Sequence, residues 1–342
     1  MLTIDGSYGE GGGQILRTAV SLSVLTHTPI RVECIRSNRP NPGLRPQHRL
    51  ALLLMKQLSN ASTSGLSIGS TEITFQPKQM VSGSFDFDIK TAGSMVLVFQ
   101  TILLGMVRCD HRLHVRLHGG SDVKWAPSWD YFTHVFLPVI KDMGVSVTAE
   151  LLQRGYYPKG GGVAEIMIDS IEDDLVPVVF DSFHPKHVYG RGHLGNLPDH
   201  IAKRMKHRVM KKTVGHSIHA NIRTERVESL SPGVGVTLWT HDTDGMFGVA
   251  SIGEKGVSAE TVADNAVDPL IADIMSDSTV DLWLSDQLLP YLVLANGRSV
   301  FRVRRLTGHF KTNLWVLKQF FSDFAVSFVE GKDSVLVTID KH

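Results

Sequence analysis

His309 sits among residues that can do phosphorus chemistry. Arg302, Arg304 and Arg305 precede it, Gly308 adjoins it, and Lys311, Thr312 and Asn313 follow. A neutral imidazole there can attack phosphorus as a nucleophile, because the neighbouring cations and a helix N-terminus offset the charge on the phosphoryl oxygens. The loop Gly6-Ser7-Tyr8-Gly9-Glu10-Gly11-Gly12-Gly13-Gln14 runs into a helical pattern, and backbone N–H groups at a helix start bind anions. Glu10 in that loop can hold a divalent metal carried by a nucleotide, with Gln14 and Arg17 on the next turns. Arg36, Arg39, Arg45 and Arg49 crowd a loop stiffened by Pro40, Pro42 and Pro46, and guanidinium groups grip phosphate oxygens in pairs. Finally, Arg154-Gly155-Tyr156-Tyr157-Pro158-Lys159-Gly160-Gly161-Gly162-Val163 places three glycines after a Pro-Lys step. Such a run is costly in backbone entropy and calls for left-handed backbone or a close ligand.

Each stretch also has a plain structural use. The first loop serves equally as a tight strand-to-helix turn, and the arginines as a solvated loop. No Gly-Lys-Ser/Thr ending occurs, and Gln14 stands where a dinucleotide fingerprint needs glycine, so neither of those phosphate motifs applies. His118-Gly119-Gly120-Ser121-Asp122 followed by Trp125, Pro127, Trp129 and Tyr131 joins a glycine turn to aromatics. They can stack on a base or simply cover a core edge.

The elements that must position these groups repeat in one order. Strand, helix, strand, helix and two strands are expected at 1–5, 12–26, 29–35, 46–58, 66–68 and 72–76. The order returns at 85–89, 94–107, 114–117, 131–143, 145–151 and 163–168. A third copy is assembled from 176–180, 282–295, 300–303, 312–324, 326–328 and 334–339. The fold class is therefore α/β (α+β): three βαβαββ units forming a large domain over 1–180 and 277–342. A smaller α/β domain inserted at 181–276 is expected to run helix, three strands, helix. Its first helix starts at Pro198 and carries Lys203, Arg204, Lys206, Arg208, Lys211 and Lys212, a basic face that reads as RNA-assisting or as merely solvated.

With 342 residues and a net charge of +1, any nucleic-acid site must be a local patch. Cys34 and Cys109 have no zinc spacing, which points to a reducing cytoplasm. Leu2-Thr3-Ile4 reads as a strand rather than a leader, and the apolar run from Met95 to Val107 is too short to span a bilayer.

The Arg154–Val163 run resembles the signature of the RNA 3′-terminal phosphate cyclase family. Similar stretches occur at Gly6–Arg17, Ile35–Arg49, Gly119–Asp122, Tyr189–His200, Asp286–Pro290 and Thr307–Asn313. The core resembles, more distantly, the enolpyruvyl transferases. The resemblance implies an ATP-dependent ligase with a magnesium or manganese ion, acting on RNA that ends in a 3′-phosphate. His309 matches the nucleophile that takes AMP from ATP and passes it to the RNA end, whose 2′-hydroxyl then closes a 2′,3′-cyclic phosphate. Glu10 matches the metal-associated glutamate. Gln14, Arg17, Arg36, Arg39, Gln47 and His48 match phosphate and RNA contacts. Gln100, Pro127, Tyr131, Trp283, Asp286 and Gln287 match the nucleotide site. Trp283 stands where a tyrosine is expected, which keeps a stacking face and loses a hydroxyl. A related branch keeps the fold, serves ribosome biogenesis and lacks the histidine, so a non-catalytic RNA-binding protein is the alternative. Self-association is left open.

Overall fold

In the computed structural model, which describes residues 1–171 and 174–341, one strand-and-helix order builds three similar sheets. The first unit contains β1 (Leu2–Asp5), α1 (Gly13–Thr26), β2 (Ile30–Glu33), α2 (Pro46–Leu58), β3 (Ser62–Ser64) and β4 (Ile73–Gln76). Its sheet order is β1-β2-β4-β3, with β1 and β2 parallel and the other neighbours antiparallel. The second unit contains β5 (Gly83–Asp88), α3 (Met95–Met106), β6 (Leu113–Gly119), α4 (Trp129–Tyr131), α5 (Leu137–Asp142), β7 (Val147–Gln153) and β8 (Gly162–Ile168). Its order, β5-β6-β8-β7, repeats the first, again with only the first pair parallel.

The inserted segment holds β9 (His187–Gly195), α6 (His200–Val214), β10 (His219–Val227), β11 (Gly233–Trp239), β12 (Gly248–Ile252) and α7 (Ala259–Ile274), in a sheet of order β10-β9-β11-β12. The third unit then resumes with α8 (Leu282–Leu294), β13 (Gly297–Val303), α9 (Gly308–Phe320), β14 (Phe324–Glu330) and β15 (Val335–Lys341). Its three strands pair β13-β15-β14, and an isolated parallel bridge from Val179 to Val300 stands where the first strand belongs. The protein is thus mixed α/β, three βαβαββ units with a smaller α/β insert.

Alternation builds the sheets. In β6 every second residue, Leu113, Val115 and Leu117, points inward and is buried, while Arg116 pairs with Glu165 on the open face. Apolar helix faces cover the inner side, so one continuous core runs from Ile4 to Ile339. A second, separate core, from Phe183 to Ile274, lies inside the insert. Among the described residues no helix is long and apolar enough to cross a membrane.

Five expectations need correction. The strand expected at 66–68 lies at Ser62–Ser64, since Gly65 and Gly69 turn the chain in left-handed backbone on either side of 66–68. The segment 176–180 makes only the bridge to Val300, closed by Phe180 donating to the Val300 carbonyl at 2.8 Å and Val300 donating to Val178 at 2.7 Å. The insert opens with β9, whose Gly190, Gly192 and Gly195 hid it from a β-propensity reading. The helix expected over 131–143 begins at Trp129 and opens into a π-helical turn at Phe132–Phe136, ahead of Pro138, which cannot donate to a preceding carbonyl. Lastly, α9 starts one turn before the expected 312, with direct consequences for His309.

Candidate active site

Thr307 is the reason α9 starts early. Its hydroxyl oxygen accepts the Phe310 N–H at 2.9 Å, an N-cap, and the same hydroxyl donates to Asp286 Oδ1 at 2.6 Å. His309 is therefore the second residue of a helix, where orphan N–H groups and the helix dipole favour anions. Asn313, one turn on, donates to the Asp286 carbonyl at 3.0 Å and accepts the Thr18 hydroxyl at 3.0 Å. These bonds tie α9 to α8 and α1, so three helices from two repeats fix the histidine backbone. Gln14 on α1 adds a bond from its amide to the His309 carbonyl at 3.1 Å.

The imidazole itself is half exposed, and its Nδ1 lies 3.0 Å from Glu10 Oε2. Glu10 reaches it because residue 308 is glycine: a Cβ there would stand 2.3 Å from Glu10 Oε1. With Nδ1–H given to the carboxylate, the Nε2 lone pair is free. Arg39 approaches the same carboxylate at 3.8 Å.

The cations of the first unit are short of partners. Arg36 and Arg39 each keep a buried Nε without a hydrogen bond, and Arg36 otherwise reaches only the Asn41 carbonyl at 3.5 Å. Burial, followed by the charges of Arg39 and Arg45, pulls the Arg36 guanidinium below its ordinary range. Arg17 is partly buried, and desolvation alone draws it down to about 10. An unpaired, half-desolvated guanidinium is stabilised by an arriving anion. His48 is buried, and desolvation, then Arg17, Arg36 and Arg45, hold it down to about 3, so the ring is neutral at physiological pH. Its Nδ1 accepts the Arg45 N–H at 3.4 Å, which turns an Nε2–H donor toward Gly13. Gln47 beside it is exposed.

On the α8 side, Gln100 donates to Gln287 at 2.5 Å, so the two amides are held as a pair. Asp286 is buried, and desolvation raises it to about 7, with the Thr307 bond opposing and the Glu10 charge adding. Trp283 is exposed on the first turn of α8, and Pro127 is half-buried. Tyr131 departs from its expected role as a pocket wall. It is 3% exposed, and its hydroxyl donates to Asp281 at 2.9 Å. Asp281 in turn caps α8 by accepting from Trp283 and Leu284, so Tyr131 braces that helix start from within the core. Burial raises Asp281 to about 8, with the Asp273 charge adding to the effect.

The Arg154–Val163 run lies elsewhere in the contact network. Arg154 is buried and binds Asp122 at 2.9 Å, Asp130 at 2.8 Å and Glu225 at 3.0 Å. Tyr156 bonds His193 Nδ1 at 2.7 Å, and His193 Nε2 lies 3.4 Å from Asp122. Gly155 allows three backbones to meet, since a Cβ there would stand 2.2 Å from the Gly119 carbonyl. This loop joins the second unit to the insert, and its arginine faces carboxylates instead of phosphate. Asp122, Asp130 and His193 have the spacing of a metal cluster, but the Arg154 guanidinium already binds both aspartates.

The basic helix also has a partner. Arg204, Arg208 and Lys212 of α6, one turn apart, pair with Glu260, Asp264 and Asp268 of α7. Sequence reasoning missed Thr18, Thr307 and Asn313 as positioning residues. A threonine just before a helical pattern was a usable cap signal for Thr307, whereas Thr18 and Asn313 gave none.

A half-exposed imidazole against a carboxylate, at a helix start and beside unpaired arginines, defines an α/β protein equipped to handle phosphate esters. A family profile described as RNA 3′-terminal phosphate cyclase matches residues 8–326. A protein of that name from Archaeoglobus fulgidus is 42% identical over 320 residues, 94% of this chain and 95% of its own. Another from Methanosarcina barkeri is 40% identical over 343 residues, 99% of this chain and 100% of its own. The enolpyruvyl transferase NikO from Streptomyces tendae covers 98% of this chain and 47% of its own at 10% identity, with a TM-score of 0.37, too low to carry an argument. The chain belongs to the RNA 3′-terminal phosphate cyclase family and is an enzyme of that class.

Proposed function

We propose that the chain uses ATP to convert an RNA 3′-terminal phosphate into a 2′,3′-cyclic phosphate, through adenylylated His309. The observation that carries this reading is the His309–Glu10 contact at 3.0 Å, which leaves Nε2 free beside unpaired arginines. Nε2 attacks the α-phosphorus of ATP, the bond to pyrophosphate breaks, and the Nδ1 proton passes toward Glu10. A 3′-phosphate oxygen of the RNA then attacks the adenylyl phosphorus, and the P–N bond breaks to regenerate the imidazole. The vicinal 2′-hydroxyl attacks the activated terminal phosphate and AMP leaves. Splitting one hard displacement into easier ones is the gain from the covalent step.

Arg17, Arg36 and Arg39 bind the phosphates, aided by Gln14, Gln47 and the neutral His48. Pro127 and Trp283 flank the base, with the Gln100–Gln287 pair and Asp286 behind them. One carboxylate, Glu10, fits a magnesium or manganese ion that arrives on the triphosphate and keeps its other ligands there. Such an ion would neutralise phosphate charge. Residues 1–180 with 277–342 form the large domain and 181–276 the insert, a division supported by the two separate cores. The two free cysteines support a cytoplasmic setting.

The test is incubation with ATP and an RNA oligonucleotide ending in a 3′-phosphate. Expected products are AMP, pyrophosphate and a phosphatase-resistant RNA end. A terminal 2′-deoxynucleotide should stop the reaction at the adenylylated end, because DNA lacks the attacking hydroxyl. Cyclisation by His309→Ala, or without ATP, would overturn the reading.

A further inference from the structure

The second repeat carries its own cleft in the place where the first repeat holds Glu10 and its arginines. Both lie at the C-terminal ends of the parallel strand pair that opens each unit, β1 with β2 and β5 with β6. In the second unit the space measures about 310 Å³ and is lined by Asp88, Lys90, Thr91, His118, Lys159 and the backbone of Gly161. Among the described residues, the N–H groups of Thr91 and Gly161 have no hydrogen-bond acceptor. Two carboxylates lie nearby: Asp88 accepts the Lys90 N–H at 2.6 Å and keeps its charge, and Asp86 pairs with His118 at 2.9 Å. Two ammonium groups and two free backbone donors remain for an anion.

The loop that walls the cleft reaches the first unit at Gln47. Gly93, on the loop from Ile89 to Ser94 that walls the cleft, packs against Gln47, with 3.8 Å from its Cβ position to the Gln47 Cβ. Gln47 neighbours His48 and the unpaired arginines. We propose that this second-repeat cleft binds phosphodiester groups of the RNA strand a few nucleotides before the reacting end, with the strand passing over Gln47. The inference rests on the RNA reading above. It gives part of the Arg154–Val163 run a ligand: the run's Lys159 and Gly161 face the cleft, while its Arg154 does not.

Phosphate oxygens could also come from the ATP triphosphate, and the experiment separates the two sources. The variant Lys90→Gln/Lys159→Gln removes both charges from exposed side chains and keeps their stems. Binding of fluorescent 3′-phosphorylated RNAs of about ten and about two nucleotides is followed by anisotropy across a salt series. We expect on the order of tenfold weaker binding of the longer RNA, a shallower salt dependence by roughly one counterion, and no change for the shorter RNA. Self-adenylylation without RNA should need the same ATP concentration as the wild type. Equal binding of the longer RNA by variant and wild type would overturn the cleft assignment and leave the His309 reading intact, since the labelling is read without RNA. A raised ATP requirement would overturn it as well, by moving the lysines to the triphosphate.

Discussion

Two clusters of charge in this molecule are built on opposite terms. Around Arg154, one buried guanidinium meets three carboxylates within 3.0 Å, and Tyr156 and His193 extend the network into the insert. Around His309, three arginines stand with few or no partners, and the imidazole is half open to solvent. The first cluster is charge-paired and therefore structural: its guanidinium is matched by carboxylates, and only Asp122 Oδ1 and His193 Nε2, 3.4 Å apart, lack a hydrogen bond. The second is unsatisfied and therefore poised for a ligand that brings negative charge. Charge pairing of the guanidinium groups, more than motif length, separates the two.

Substitutions should pull these clusters apart. The largest effect on folding is expected from Arg154→Met, which leaves Asp122 buried without its guanidinium and Asp130 with only Arg191, at 3.3 Å. A loss of about 3–5 kcal/mol should appear in urea unfolding, while the molecules that remain folded at low temperature still accept AMP. Loss of adenylylation in a fully folded Arg154→Met protein would break the comparison. Next, Arg39→Ala should leave the unfolding midpoint unchanged and lower the rate of adenylylation on the order of a hundredfold, as for loss of one donor to a developing charge.

A smaller, pH-dependent effect tests Asp286. Its carboxyl sits near 7 in the fold against about 4 when unfolded, so the folded state holds a proton that the unfolded state has released. Its stabilising share is complete below about pH 4 and is lost as pH rises through about 7. Asp286→Asn still accepts the Thr307 hydroxyl and does not titrate. The variant should therefore gain stability relative to wild type between pH 5 and 8. A constant difference across that range would show that Asp286 is ionised throughout.

Much of this is legible in the sequence. Pro46 marks the start of α2, and the recurring strand and helix periods expose three units with one strand order. Glu10 and Gln14, close together in the chain, both contact the distant His309. What failed was whatever depends on distant partners. The run that begins at Arg154 reads as a ligand loop until Asp122, Asp130 and Glu225 close on its arginine. Arg204, Arg208 and Lys212 read equally as RNA-assisting or solvated until α7 supplies a carboxylate to each. Tyr131 looks like a pocket wall until Asp281 takes its hydroxyl. A cap such as Thr307 is local in sequence, yet Asp286 is what holds it in register.

The most direct test is incubation with α-phosphate-labelled ATP and magnesium or manganese, followed by denaturing separation and peptide mapping of the adduct. The account predicts a label that is acid-labile and base-stable, as a phosphoramidate is, located on His309 and absent from His309→Ala. A label that persists in His309→Ala, or that maps to another side chain, would contradict it.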